Sequence, residues 1–497
     1  MTNLQSLDFY WPELILTGVI VLAIILDLLL DKKDSGKVGW VLILGLITVA
    51  LAIYIQDGSK TTTLFMDSIV LDPFASFFKM LVILATIFVS VASWQTGELA
   101  EYRKGEYFTL LGIIVLGLFL MVSAVDLVMV YLSIEMVSIM SFILAGYLKQ
   151  NTRSNEAGLK YVVYGAFSSG IMLFGISILY GLAGSTNYFE VQQAVVNLDE
   201  TANAALVMAL VMILAGFGYK ISAVPFHFWT PDVYEGAPIT ITAYLSVAPK
   251  AGALAMMIRF FNQVLADGGA MTGIEGVSMT NMPWPEILAL LAVITMSLGN
   301  LVAIQQNNLK RMLAYSSIAH AGYMLLALPV MSTQGVYAVM IYLVMYLFMN
   351  LGAFFVVIAV KNKTGGETFD DYRGLGWEMP LVGVVMTIFM VSLTGLPPTA
   401  GFIGKFYIFA ALVKGGPQFY YLVILAGINS VISLFYYLRV VKVMFLEGER
   451  SETLVQPPAV MMGILLLTAI PTVLFGIYWS PIANWIQHSM TFFIQTI

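Results

Sequence analysis

Two stretches decide the fold: Ala215–Trp229, AGFGYKISAVPFHFW, and Leu393–Phe409, LTGLPPTAGFIGKFYIF. Each puts a lysine and a proline inside an apolar run of membrane-spanning length. Proline lacks an N–H, so Pro225 deprives the Ile221 carbonyl of its helical partner, and Pro397 and Pro398 do the same to Leu393 and Thr394. Irregular backbone at membrane depth is tolerated only where protein or a water-filled cavity lines it. Both runs therefore read as broken helices around a polar interior. Lys220 stands five residues before Pro225, and Lys405 seven residues after Pro398.

Around these two breaks the whole chain is apolar. Of 497 residues 60% are hydrophobic and only 10% charged, which excludes a water-soluble protein. Runs of spanning length fall at about 10–30, 38–56, 73–95, 107–125, 126–148, 158–183, 203–224, 238–264, 284–305, 311–330, 335–360, 380–412, 417–446 and 458–479. They are continuous rather than alternating, so the expected fold class is an all-α integral membrane protein of about fourteen spans, not a barrel. The first run lacks a basic leader and a cleavage site and reads as a retained span. The broken spans are the seventh and the twelfth, five apart. Matching interruptions of this kind point to two repeats, spans 4–8 and 9–13, and an odd number of spans per copy forces them to be inverted. The divisions expected are 1–106 (spans 1–3), 107–264, 265–446 and 447–497 (span 14 and a tail).

Lysine and arginine in alternate connections test this topology. One set of flanks carries fifteen, among them Lys32, Lys33, Lys37, Lys310, Lys361 and Arg450; the other carries two, Lys60 and Lys414. Both termini are expected on the outer side of the cell's inner (plasma) membrane. Lys79 and Arg259, near outer ends of their spans, read as snorkelling charges. Of the outer connections, Ser185–Glu200 has a helical apolar stripe and reads as lying along the membrane surface, whereas Ala266–Met282 reads as a loop.

The net charge of −6 argues against nucleic acid. With no cysteine and three histidines, no thiolate-held cluster or cysteine zinc site is open to the chain, and no cofactor or metal is expected in it. No phosphate loop or nucleophile–base pair occurs, and the glycines of Gly165–Gly175 read as close helix packing. What remains is buried charge. Glu135 in the fifth span, Lys220 in the seventh, Lys250 in the eighth and Lys405 in the twelfth lie at membrane depth, where ionisable groups mark proton or ion pathways. Such lysines, poised between desolvation and a carboxylate partner, can pass a proton along a relay. Glu135 and Lys220 are expected to pair, and Lys250 to sit in unbroken helix. Lys160 reads either as a relay group or as a paired surface charge. His227, just past Pro225, reads either as a relay extension or as a satisfied structural histidine, and His320 likewise.

These residues resemble those of the antiporter-like membrane subunits of respiratory complex I, a family shared with the Mrp-type cation/proton antiporters. The resemblance covers nearly the whole chain and is most specific at Gly218–Pro238 (GYKISAVPFHFWTPDVYEGAP), Leu309–Tyr323 (LKRMLAYSSIAHAGY) and Gly395–Phe409. A lysine at 405 rather than a glutamate, no long lateral arm after the last span, and the opening WPELILTGVIVLAIILDL are similar to the N-type subunit. By this match Glu135, Lys220, Lys250 and Lys405 occupy the family's proton-relay positions, and Lys160 and His227 match further charged positions. The resemblance implies a proton-translocating subunit of an NADH- or ferredoxin:quinone oxidoreductase. FMN, iron–sulfur clusters and the quinone site would lie in other subunits. Its partners would be other antiporter-like subunits, small membrane-arm subunits and lipids. The alternatives are a subunit of an Mrp-type antiporter and a scaffold that transmits conformational change without conducting.

Overall fold

The computed structural model describes residues 2–56, 61–198, 202–265, 284–330, 332–448 and 454–495. A short α1 (Asn3–Leu7) leads into α2 (Trp11–Leu29), α3 (Val38–Gln56), α4 (Pro73–Gln95), α5 (Lys104–Ser123), α6 (Leu127–Ala145) and α7 (Thr152–Ala183). Then come α8 (Tyr188–Val196), α9 (Asn203–Ile221), α10 (Trp229–Gly236), α11 (Ile239–Phe260), α12 (Trp284–Ala303) and α13 (Leu309–Leu325). The chain continues through α14 (Thr333–Thr364), α15 (Leu375–Glu378), α16 (Pro380–Thr394), α17 (Ala400–Lys414), α18 (Tyr420–Leu446), α19 (Ala459–Ile477) and α20 (Ser480–Gln495). Among the described residues twelve helices are long and apolar enough to cross a membrane. The two remaining expected spans are α13, of 17 residues, and the pair α16/α17, of 15 residues each.

Both breaks fall where the prolines put them. The seventh run divides into α9 and α10 around Pro225, the twelfth into α16 and α17 around Pro397 and Pro398. Each first half ends in a left-handed cap, at Ser222 (φ 67°) and Gly395 (φ 88°), and each break holds a cis X–Pro bond. The helices before the breaks, α7 and α14, are both 32 residues long and both end on a left-handed glycine, Gly184 and Gly365. Close packing explains part of the glycine-rich stretch in α7. A Cβ on Gly175 would stand 2.7 Å from the Ala209 carbonyl oxygen of α9, and one on Gly165 would strike the Phe142 ring, whereas Gly170 meets nothing.

Several expectations change. Lys79 and Arg259 do not snorkel. Lys79 Nζ is 2.6 Å from Glu13 Oε1, and Arg259 Nη1 is 2.8 Å from Asp72 Oδ2 while also donating to the Val122 carbonyl; both side chains are buried. A buried charge is retained only when paired and hydrogen-bonded, and these two are. The helix around Lys250 is continuous but carries Pro249 inside α11, so the Leu245 carbonyl loses its helical partner there, and a π-helical turn follows at Phe261–Leu265. The surface stripe before Glu200 is α8, which buries Tyr188, Val191 and Val195 against α7 and the π turn. The segment after the last expected span is helical: α20 packs on α4 and α14, with Trp485 against Phe77. A two-stranded hairpin, β1 (Thr62–Leu64) and β2 (Ile69–Leu71), is a small departure from an all-α fold. The Ala266–Met282 loop, Lys60 and Arg450 lie outside the described residues.

Candidate functional site

Lys220, Lys250 and Lys405 are 2%, 1% and 4% exposed, and none forms an ion pair among the described residues. Each ammonium is held by neutral oxygens. Lys405 donates to the Thr394 carbonyl at 2.7 Å and to Ser430 Oγ at 3.0 Å, and lies 4.5 Å above the Tyr323 ring. Thr394 is one of the carbonyls that Pro398 frees, so the break itself supplies the lysine's acceptor. Gly395 makes room: a Cβ there would be 2.7 Å from Lys405 Cδ.

Lys250 donates to Ser317 twice, to Oγ at 2.7 Å and to the carbonyl at 3.0 Å, and Tyr346 also donates to Ser317 Oγ, at 3.0 Å. One turn further along α13 stands His320, fully enclosed by tyrosines. Its Nδ1 is 2.6 Å from the Tyr342 hydroxyl and its Nε2 3.1 Å from that of Tyr437, and its ring is 5.0 Å from Tyr346 and 6.0 Å from Tyr323. Tyr437 continues to Ser316 at 2.5 Å. Through Tyr346 on one side and Tyr323 on the other, His320 stands between Lys250 and Lys405. From the sequence it reads either as a relay extension or as a structural histidine; its position between the two lysines depends on Tyr342 and Tyr346 of α14 and Tyr437 of α18, distant in the chain.

The first half is organised differently. Lys220 donates to Ser138 Oγ at 2.9 Å, and no ion pair joins it to Glu135. Glu135 lies one turn before Ser138 on α6, and its Oε1 is buried without a hydrogen-bond partner. The expected pair is therefore not a direct ion pair: Lys220 is held by Ser138, three residues along α6 from Glu135. The carbonyls that close α9 are taken by protein: Gly218 by the Ala223 N–H at 2.7 Å, Tyr219 by Trp229 Nε1 at 3.0 Å. His227 is buried in the turn after Pro225, its Nδ1 without a partner among the described residues. Among the described residues it forms no hydrogen bond to Lys220 or Lys250, and its ring lies 4.4 Å from that of Phe228.

Lys160 stands apart. It is ion-paired to Asp232 at 2.6 Å and Glu156 at 2.7 Å, its side chain is 37% exposed, and Arg311 reaches Asp232 and Glu235 at 2.7 and 2.9 Å around a cavity of about 210 Å³. This is the paired-charge alternative, not a buried relay position. A second charged cluster lies at the same end of the bundle. Lys361 pairs with Glu98 at 2.6 Å and with Glu367; Lys310, fully buried, donates to the Ala237 carbonyl at 2.6 Å and stands 3.6 Å from Glu367. Glu98 also accepts the Ile239 N–H at 2.8 Å, capping α11. Glu367 is outside the spans. Burial alone would push its carboxyl up, but Lys310 and Lys361 outweigh that and hold it below the ordinary carboxylate value.

Among the described residues no group of three or more His, Asp or Glu could hold a metal ion. Residues 124–433, which include Glu135, Lys220, Lys250, His320 and Lys405, match the profile described as NADH:quinone oxidoreductase/Mrp antiporter, transmembrane. The chain belongs to this family of membrane subunits. Within it, a curated relative from Chloroherpeton thalassium, NADH-quinone oxidoreductase subunit N 2, is 44% identical over 484 residues, covering 96% of this chain and 93% of its own. A chain of respiratory complex I from Thermus thermophilus with bound aureothin superposes with a TM-score of 0.77 at 28% identity, covering 95% of this chain and 98% of that one. A chain of the Mrp complex from a Dietzia species shares the fold, with a TM-score of 0.82 at 18% identity and 99% coverage of both.

Proposed function

We propose that the chain is the N-type antiporter-like subunit of a proton-translocating NADH:quinone oxidoreductase, and that it moves protons through Glu135, Lys220, Lys250, His320 and Lys405. One observation carries the reading: three lysines are buried with only neutral oxygens for partners. A fixed unpaired charge at that depth is costly. A group that gains and loses a proton is charged only in passing. The groups that stand between Lys250 and Lys405, the Ser317, Tyr342, Tyr346 and Tyr437 hydroxyls and the His320 imidazole, can each both accept and donate.

The near-full-length likeness to subunit N chains favours complex I over an Mrp-type antiporter, for which only the shared family profile and the fold speak. On this reading α5 to α11 and α12 to α18 are the two inverted repeats, α13 and α16/α17 complete fourteen spans, and both termini face outward from the inner membrane. Other membrane-arm subunits flank the chain, and FMN, iron–sulfur clusters and quinone are bound elsewhere in the complex. The test is a purified native complex whose composition is read by mass spectrometry. Redox subunits support the proposal; a set of small antiporter subunits without them refutes it.

A further inference from the structure

One cleft of the molecule is not used by the proton relay. It has a volume of about 900 Å³, within the range of about 300–1,000 Å³ that ligand sites occupy. It opens where α3 and α5 begin and α4 ends, at the end of the bundle that carries most of the basic residues. Lys32, Lys33, Lys37 and Lys104 line it with Asp34 and Glu101, which leaves two positive charges in excess. Lys37 is paired to Asp34 at 2.8 Å, whereas Lys32, Lys33 and Lys104 form no ion pair among the described residues.

The walls are fixed rather than loose. Trp94 Nε1 donates to the Gly36 carbonyl at 3.1 Å, and the Lys104 N–H donates to Ser35 Oγ at 3.0 Å, tying the α2–α3 connection to α4 and α5. Trp40 stacks on Trp94 with ring centroids 4.7 Å apart. Below Trp40 a single exposed apolar stripe runs down α3 through Leu44, Ile47 and Leu51. Tryptophan marks the headgroup level of a membrane, and basic pockets between helices there bind anionic lipid headgroups. A lysine-rich recess, a tryptophan floor and an apolar track leading away match a phosphate-bearing head, a glycerol level and an acyl chain in that order.

We propose that this cleft is a site for one anionic phospholipid, its phosphate held by Lys32, Lys33 and Lys104 and its acyl chain lying on the Trp40–Leu51 stripe. The intact complex in lipid nanodiscs is labelled with a photoreactive phosphatidylglycerol, and separately with the matching phosphatidylcholine. Peptides containing Trp40 and Trp94 are then quantified. Phosphatidylglycerol should label them selectively. The triple variant Lys32→Gln, Lys33→Gln, Lys104→Gln should lower that labelling roughly tenfold or more. Labelling by phosphatidylcholine should stay the same, which also reports that the variant is folded and assembled. Equal labelling by the two lipids in the parent, or no loss in an assembled variant, overturns the assignment. Abolition by excess inorganic phosphate would make the cleft a soluble-anion site and overturns it as well. If the triple variant does not assemble, Lys104→Gln alone is used, with a severalfold loss expected and no loss decisive against the site.

Discussion

Lys405 owes its acceptor to a proline seven residues away, since Pro398 releases the Thr394 carbonyl that the ammonium occupies at 2.7 Å. Lys405→Met removes the titratable group and should lower proton pumping by roughly tenfold or more while the complex assembles. Lys405→Arg can still reach a carbonyl, but guanidinium stays protonated up to a pKa above about 12 and should impair pumping too. Pumping and quinone reduction measured together in vesicles decide this; an arginine variant that pumps like the parent makes Lys405 a fixed charge. Glu135, whose Oε1 is buried one turn from the Ser138 that holds Lys220, gives a second expectation. Glu135→Gln keeps the shape and removes the charge, so pumping should fall severalfold in an assembled complex, and unchanged proton uptake would exclude a role for that carboxylate. The lysines and Glu135 were legible in sequence because charge inside an apolar run is conspicuous. The acceptors were not. Ser317 is 67 residues from Lys250 and Ser138 is 82 from Lys220, and nothing local marks them. His320 was visible, but its tyrosine cage was not.

At the scale of the element, the break between α16 and α17 depends on Gly395 in two ways. Its φ of 88° is one that a side chain resists, and its open face admits Lys405. Gly395→Ala should cost about 1–2 kcal/mol in backbone strain alone and should displace Lys405, lowering pumping as the Lys405 variants do. Gly427→Ala, in a part of α18 where a Cβ meets nothing, is the control and should be neutral or stabilising by a few tenths of a kcal/mol up to about 1. Equal thermal midpoints for the two variants would refute this account. The helices were legible because hydrophobicity saturates them, and both breaks because each proline stands with a lysine in the same apolar run, although Pro249, beside Lys250, lies inside α11 without breaking it. α20 was missed because polar residues interrupt its apolar ones, and the hairpin because each strand is three residues long.

The whole molecule is tied across its halves by the cluster of Glu98, Lys310, Lys361 and Glu367, whose members come from four separate segments. Lys361→Ala leaves Glu98 and Glu367 short of a partner at a partly exposed site and should destabilise the fold by about 1–3 kcal/mol. Because Lys310 and Lys361 depress the Glu367 carboxyl, its contribution is complete above the ordinary carboxylate value near 4.5 and is lost as pH falls through the depressed one. The thermal midpoint of a Glu367→Gln variant should lie below the parent's at neutral pH, and the gap should narrow on acidification; a constant gap would show that the charge is not what stabilises. Orientation is tested by single cysteines in a chain that has none. Lys33→Cys should react only from inside and Glu190→Cys only from outside, both positions being exposed; the reverse pattern would invert the topology. The pairing of Lys79 with Glu13 and of Arg259 with Asp72 was illegible for the same reason as the cluster: the partners lie 66 and 187 residues apart.

α14 connects these scales. It is one uninterrupted helix without proline, buried from Gly335 to Val360 apart from Tyr337. Tyr342, Tyr346 and Asn350 recur on one of its faces and touch His320, Ser317 and Ser246, and Lys361, three turns on, holds the charged cluster. Nineteen residues at 1.5 Å each separate Tyr342 from Lys361, about 28 Å. A helix is stiff along its axis, so this face behaves as a camshaft. Whatever turns or slides the rod at the charged end changes the seating of every tyrosine and asparagine along it in the same instant.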